Sequence, residues 1–327
     1  MTTTVCVDAM GGDERPEVVL EGIAQVLAAD SDLTVLVAGD EDVVVPFCAS
    51  HDRARALVTT EVIGMGEHPT DAVRSKRDSS IVQGCLAVRH GDADGFFSAG
   101  STGAVLTAAT LNVGRLRGIK RPAIAFPFPS LSGRRSIVLD IGANADCRPE
   151  MIVQFAKMGS AYARVIFGTA EPSVALLSNG TEDAKGSETV VSFHEALAES
   201  CPTFVGNCEG CDLLKGDYDV IVCDGFTGNV ALKSLEGTAK FLVARIKEAA
   251  SSSKRFALGA GLLKPAIKQV ASELSSGGTG GAILLGLKAP VVIGHGATSV
   301  DDVRDATLTT ARFVRDGLVA KIADDVA

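Results

Sequence analysis

Short, almost continuously apolar runs recur along the chain with helix-length segments between them, and this alternation constrains the fold more than any single motif. TVCVDA (4–9), LTVLVAG (33–39), ALVTTEVI (56–63), DGFFSAG (94–100), AIAFP (123–127) and SIVLDIG (136–142) form a first group. SVALLSNG (173–180), TFVGN (203–207), DVIVCDG (219–225) and PVVIGHG (290–296) continue it. Runs without polar alternation suit strands covered on both faces. Between the first two, RPEVVLEGIAQVLAAD puts Val18, Val19, Ile23, Val26 and Leu27 on one helical stripe, with Pro16 at a starting position. The expected fold is α/β: a Rossmann-like, mostly parallel, doubly wound sheet with two lobes around a cleft, formed by residues 1–327 as one unit. Only 5% aromatic residues, no Trp and 35 Gly agree with an Ala/Val/Leu-built core joined by tight loops.

The formal charge of −9 argues against a nucleic-acid binder, because affinity for a phosphate backbone needs a basic surface. MTTTVCVDAMGGD lacks the basic and apolar regions of a secretion signal, so a cytoplasmic chain is expected. No run of about 18 apolar residues occurs, which speaks against a spanning helix but leaves peripheral contact open. Eight cysteines in such a chain read as reduced thiols. Cys208 and Cys211 make one CxxC, but without a second close pair the zinc reading stays weak, and no metal or cofactor is assigned.

Many strand-like runs end in a polar residue beside glycine. Asp8 precedes Gly11, Gly12 and Asp13; Ser98 precedes Gly100; Asp140 precedes Gly142 and Asn144; Asn179, Asp224 and His295 each adjoin a glycine. In open parallel sheets ligands bind outside the carboxyl ends of strands, so these ends are expected to face one site. SAGSTGA matches neither the P-loop pattern nor the nucleophile elbow, and no run carries an intact GxGxxG. A more general feature survives. Gly100 and Gly103 permit close backbone approach, Ser98, Ser101 and Thr102 offer hydroxyls, and a helix begins there, which makes either an anion site or an ordinary helix cap. Lys185, expected in the first helical turn after Asn179, is poorly placed for the helix dipole unless an anion lies near or Glu182 or Glu188 pairs with it. Asp8, Asp140 and Asp224, with Asn144 and Asn229, suit either Mg²⁺ or the capping of their own loops, and His295 is a donor or a packing residue.

The ordered motifs VDAMGGDERP (7–16), HPTDAVRSKRDSSI (68–81), FFSAGSTGA (96–104), LDIGANADC (139–147), LLSNGTEDAKGSE (176–188) and DVIVCDGFTGNVALKSLEG (219–237) resemble those of PlsX-type phosphate acyltransferases, and RPAIA, GNCEGCD, GGAILLG and GHGAT extend the likeness over the chain. The resemblance implies transfer of a long fatty acyl group from acyl carrier protein to inorganic phosphate. The acyl phosphate would serve phospholipid synthesis by passing to a glycerol-3-phosphate acyltransferase. It also implies a fold akin to isocitrate dehydrogenases and phosphotransacetylases, a homodimer and peripheral membrane association. Ser101 stands where Asn is usual in that family, and Thr279 where Tyr is usual, so no substrate contact is assigned at 279.

Phosphate is itself a nucleophile and a thiolate leaves readily, so gathering the two reactants and donating hydrogen bonds to the oxyanion is enough. On this reading Ser98, Gly100, Ser101, Thr102 and Gly103 hold phosphate with Lys185, and Asn144 or Asn229 serves the thioester carbonyl. An acidic carrier docking on an acidic chain needs a focused basic patch. Arg74, Lys76 and Arg77 form one candidate; Arg115, Arg117, Lys120 and Arg121 form another. Phe256, Leu258, Leu262 and Leu263, flanked by Lys254, Lys264 and Lys268, suit a membrane hook or a buried helical hairpin at a dimer interface. The competing readings are an acyl-CoA-dependent phosphotransacylase, a decarboxylating NAD dehydrogenase of the same fold, and a non-catalytic acyl-carrier or lipid-binding homologue.

Overall fold

The computed structural model describes residues 2–276 and 279–326. Gly277 and Gly278 lie outside the described residues, as do the side chains of Lys254, Lys268, Gln269 and residues 271–276. One sheet of eleven strands runs through the molecule in the order β3-β2-β1-β4-β11-β10-β5-β6-β9-β7-β8. The strands are β1 (Thr3–Asp8), β2 (Leu33–Gly39), β3 (Ala54–Val58), β4 (Gly95–Ser98), β5 (Ala123–Pro129) and β6 (Arg135–Leu139). They continue as β7 (Val174–Leu177), β8 (Phe204–Cys208), β9 (Val220–Val222), β10 (Ala282–Leu285) and β11 (Val291–Ile293).

Most neighbours pair in parallel, but β11–β10, β10–β5 and β5–β6 are antiparallel. Three reversals in succession leave the two halves of the sheet running in opposite senses. The strand ends of the sequence reading therefore do not share an edge: Asp8, Ser98 and His295 leave β1, β4 and β11 at one edge, and Asp140, Asn179 and Asp224 follow β6, β7 and β9 at the other. Because the central strands are short and in register, Phe97, Val292, Ile283, Ala125, Leu139 and Val222 lie on one line across the sheet. Both edges are thus close to a common middle.

Helices cover both faces, as continuous apolar strands require. One apolar cluster joins the sheet to α1 (Glu17–Ala29), α6 (Pro149–Phe167), α10 (Val300–Arg315) and α11 (Leu318–Val326), with Tyr162 and Phe313 edge to face at 5.4 Å. The other joins it to α3 (Pro69–Ser75), α4 (Ser80–His90), α5 (Thr102–Asn112) and the first turns of α8 (Gly225–Ala250). The stripe expected on 15–30 is the buried face of α1: Val19, Ile23, Val26 and Leu27 are buried and Val18 packs at the margin. Beyond the sheet, α8 and α9 (Lys254–Ser276) pack as a hairpin. Phe241, Leu242, Phe256, Leu258, Leu262 and Leu263 are exposed on it. Among the described residues, no helix is long and apolar enough to cross a membrane.

Candidate active site

The polar knot after β4 is built on a buried acid. Asp8 is 1% exposed and accepts the Ser98 hydroxyl at 2.7 Å and the Met10 N–H at 2.9 Å, while Ser98 Oγ accepts the Gly100 N–H at 3.0 Å. Burial pushes the Asp8 carboxyl above the usual range, and the hydrogen bonds from Ser98, Ser80 and Met10, with Arg15, pull it back. Asp8 and Ser98 thus brace the loops that carry the site and do not line the cavity. The glycines have more specific reasons than ligand approach. A Cβ on Gly11 would sit 2.7 Å from the Gly100 nitrogen, so the β1 and β4 loops touch backbone to backbone. One on Gly103 would sit 2.5 Å from Pro69 Cγ, so this residue lets α5 pack on α3. Ser101 is the buried N-cap of α5 without a side-chain cap bond, and Thr102 begins the helix and is exposed. The loop after β11 joins this corner: Asp13 N–H donates to the Gly296 carbonyl at 2.8 Å. His295 Nδ1 accepts the Ala297 N–H at 3.1 Å, which leaves Nε2 as the donor of the ring.

On the opposite edge Asp140 is a structural acid. Its carboxylate accepts N–H groups of Ile124, Gly142, Ala143 and Asn144 and the Asn144 side-chain amide, all within 3.1 Å. Burial raises its pKa against the pull of these donors. Asn144 spends its amide inside the loop, on Asp140 and on the Pro122 carbonyl at 2.8 Å. Asp224 caps α8, accepting Thr227 N–H and Oγ1 at 2.8 and 2.9 Å. Gly225 and Gly228 allow α8 to press on this loop, since a Cβ on Gly228 would lie 2.0 Å from the Asp140 carbonyl oxygen. Of the two open readings for these acids, the local contacts are those of caps and braces.

Between the start of α5 and α8 lies a cavity of about 330 Å³. It collects Gly100, Thr102, Asp13 and His295 from one edge and Asn229 from the other, so five of the residues singled out in the sequence line one space. Its remaining wall is largely apolar: Ile124 and Phe126 of β5, Ile141, Leu232, Ile293 and Met65. Sequence reasoning missed Lys233 and Glu236, which also line it and pair at 2.9 Å. A signal was present, because Asn229, Leu232, Lys233 and Glu236 follow the 3.6-residue period of one helix face.

The other candidates sit elsewhere. Lys185 does not line this cavity. It precedes the cap of α7 (Glu188–Ser200) by two residues instead of occupying the first turn, is 50% exposed, and has Nζ 4.0 Å from Glu182 Oε1. Its loop, with Asn179, follows β7, six strand positions from β4, or about 29 Å along a sheet with 4.8 Å spacing. Lys76 is tied to Glu67 at 2.6 Å and to the Val62 carbonyl at 2.8 Å, leaving Arg74 and Arg77 as the exposed cations of that patch. Arg115 donates to the Lys120 carbonyl and Lys120 pairs with Glu150, while Arg117 and Arg121 are exposed. Cys208 is buried in the core and Cys211 is exposed, its thiol donating to Asp212. The Thr279 hydroxyl, buried, donates to the Gly281 carbonyl at 2.8 Å.

Comparison with known proteins gives the arrangement its context. A family model described as "Fatty acid synthesis protein" matches residues 3–321. The chain is 42% identical over 98% of its length to a phosphate acyltransferase of Bacillus pumilus, covering 97% of that protein. It is 41% identical over 98% of its length to the phosphate acyltransferase of Lacticaseibacillus casei, covering 94% of it. Among solved structures, a phosphotransacetylase from Streptococcus pyogenes aligns with a TM-score of 0.62 at 17% identity, over 96% of this chain and 94% of that one. A branched-chain phosphotransacylase from Enterococcus faecalis aligns with a TM-score of 0.62 at 15% identity, over 95% of this chain and 99% of that one. These structures share the mixed, mostly parallel α/β architecture.

Proposed function

The chain belongs to the fatty acid synthesis protein family of phosphate acyltransferases, and from that membership we propose that it moves a long-chain acyl group from acyl carrier protein to inorganic phosphate within the cavity between α5 and α8. The observation that carries this reading is the cavity's two-part lining. The N-terminus of α5, with Gly100 and Thr102, shares the lining with Asp13, Asn229, Lys233, Glu236 and His295, and apolar side chains of β5, β11 and α8 make up much of the rest. Free N–H groups at a helix start favour a phosphate, and an apolar wall favours the acyl chain next to it.

A phosphate oxygen attacks the thioester carbonyl carbon, the carbonyl oxygen becomes an oxyanion, and collapse breaks the C–S bond and expels the thiolate. Asn229 and the Nε2–H of His295 are the donors available to the oxyanion, and the sulfur leaves as the thiolate without a proton from the protein. Ser98 holds the phosphate loop in shape through Asp8 and the Gly100 N–H, while Lys233 is the cation that lines the cavity. Lys185 stays in the reading as a second cation, reached only by the part of a ligand that extends toward the β7 edge. Arg74 and Arg77, near the loop that supplies Met65, and Arg115 and Arg117 are the two candidate docking faces for the acidic carrier. The exposed apolar residues of the α8–α9 hairpin support contact with an anionic membrane or with a second copy of the chain.

The test is to incubate the protein with phosphate and either palmitoyl-acyl carrier protein or palmitoyl-CoA, and to trap acyl phosphate with hydroxylamine. Product from the carrier supports the reading. Product only from the CoA thioester assigns the chain to the alternative acyl-CoA chemistry, and none from either refutes the enzymatic proposal.

A further inference from the structure

A second, smaller cavity continues the first. It is pinched to about 10 Å³ of free space and lined by Phe128, Pro129, Leu214, Leu232, Leu235 and Glu236. Leu232 and Glu236 border both spaces. The floor is one strand, because Ile124, Phe126 and Phe128 alternate along β5 and belong to the same apolar cluster. From Ile124 to Phe128 this floor runs roughly 13 Å, at about 3.3 Å per residue. The roof is one helix: Asn229 and Lys233 stand over the polar end, Leu232 over the junction and Leu235 over the far end. The single charged group in the narrow part, Glu236, is bound to Lys233 at 2.9 Å. Leu214 closes the end from a segment whose backbone is pinned, its carbonyl accepting the Leu131 N–H at 2.9 Å. The side chains of Leu214, Leu232 and Leu235 are among those that fill the seam.

We infer that this seam between β5 and α8 is the channel for the acyl tail, and that Leu232, Leu235 and Leu214 set the chain length the protein accepts. The inference rests on the reading of the larger cavity as the acyl-transfer site. A saturated tail needs contact with apolar walls and no polar partner, which is what Phe126, Phe128, Leu232 and Leu235 offer. Moving leucine rotamers aside costs little against the gain. Each methylene taken from water into such surroundings is worth about fourfold in binding, or about 0.8 kcal/mol. The preference should rise with length until the tail meets Leu214.

The experiment measures kcat/KM for octanoyl-, dodecanoyl- and palmitoyl-acyl carrier protein with the full chain and two variants, alongside KM for phosphate. Leu232→Trp places bulk at the junction and is expected to lower kcat/KM for palmitoyl by about tenfold or more, and to lower the palmitoyl-to-octanoyl ratio. Leu214→Ala with Leu235→Ala opens the far end and should extend the length at which the rate stops rising. A palmitoyl-to-octanoyl ratio unchanged in the double variant overturns the inference, even if Leu232→Trp does not fold. Wild-type protein that forms acyl phosphate from no carrier overturns the functional reading itself, and this inference with it.

Discussion

Replacing Lys233 by alanine separates the two cations that compete for the phosphate. Lys233 lines the cavity, is 54% exposed and is shared with Glu236, whose side chain is 18% exposed. Two unit charges 4 Å apart attract by about 4 kcal/mol at an effective dielectric of 20. Solvent screening brings exposed pairs down to about 1 kcal/mol or less, while a phosphate group carries about two charges near neutral pH. A half-exposed lysine on a dianion falls between, at about 1.4 to 2.8 kcal/mol, or about tenfold to hundredfold in KM for phosphate. The assay is hydroxylamine trapping of acyl phosphate at saturating acyl carrier, with phosphate varied. Lys233→Arg should keep most of the affinity. Glu236→Gln, which removes a negative charge from the cavity wall and frees the lysine, should lower KM. If Lys233→Ala leaves KM within about twofold while Lys185→Ala raises it about tenfold, the phosphate sits at the β7 edge and the assignment to this cavity is wrong.

Further outcomes follow from particular contacts. Gly103→Ala drives a Cβ to 2.5 Å from Pro69; overpacking of this kind costs about 1 to 3 kcal/mol, so thermal unfolding should drop by a few degrees, and an unchanged midpoint would mean that α5 and α3 separate freely. In native protein at mildly alkaline pH a disulfide reagent should modify the exposed Cys211 quickly. Cys6, Cys85, Cys208 and Cys223 should react only after unfolding, since burial pushes Cys208 up to about 12 and raises the others; fast reaction of any of these four would contradict the burial. Arg315 bonds Asp30 at 2.6 Å and holds its carboxyl below the usual range. A lowered carboxylate pKa stabilises the fold above the unfolded value near 3.9 and loses that contribution as pH falls through the folded value. The stability gap between wild type and Arg315→Ala, read from urea midpoints, should therefore be larger at neutral than at strongly acid pH, and an equal gap at both would exclude a charge-dependent role.

Much of the architecture is legible along the chain because burial on both faces writes itself as continuous apolar runs. The strand at 33–39, the run 123–127 that begins β5, and the stripe of α1 follow from local pattern alone. β10, within GGAILLG, escaped that reading: four residues hemmed in by glycines carry too short a signal. Its absence mattered, because β10 is the strand that joins β11 to β5 and so makes one sheet of the two groups. Strand direction is a property of pairing and leaves no mark on the residues that pair.

The sequence by itself therefore determined the class of fold, the glycine-rich strand ends and the set of polar residues from which a site could be drawn. Local chemistry suffices for these, since a cap, a turn or a buried strand depends on neighbours in the chain. Only the tertiary structure decided which of those residues meet. The reversal between β5 and β6 sent Asp8 and Ser98 to one edge and Asp140 and Asp224 to the other, where they are taken up by backbone N–H groups and, for Asp8 and Ser98, by each other. It left α8 facing α5 across β5, bringing Lys233 and Glu236 to the cavity and leaving Lys185 off its lining. Contacts between residues more than a hundred positions apart depend on sheet order, and sheet order is decided by how all eleven strands pack together.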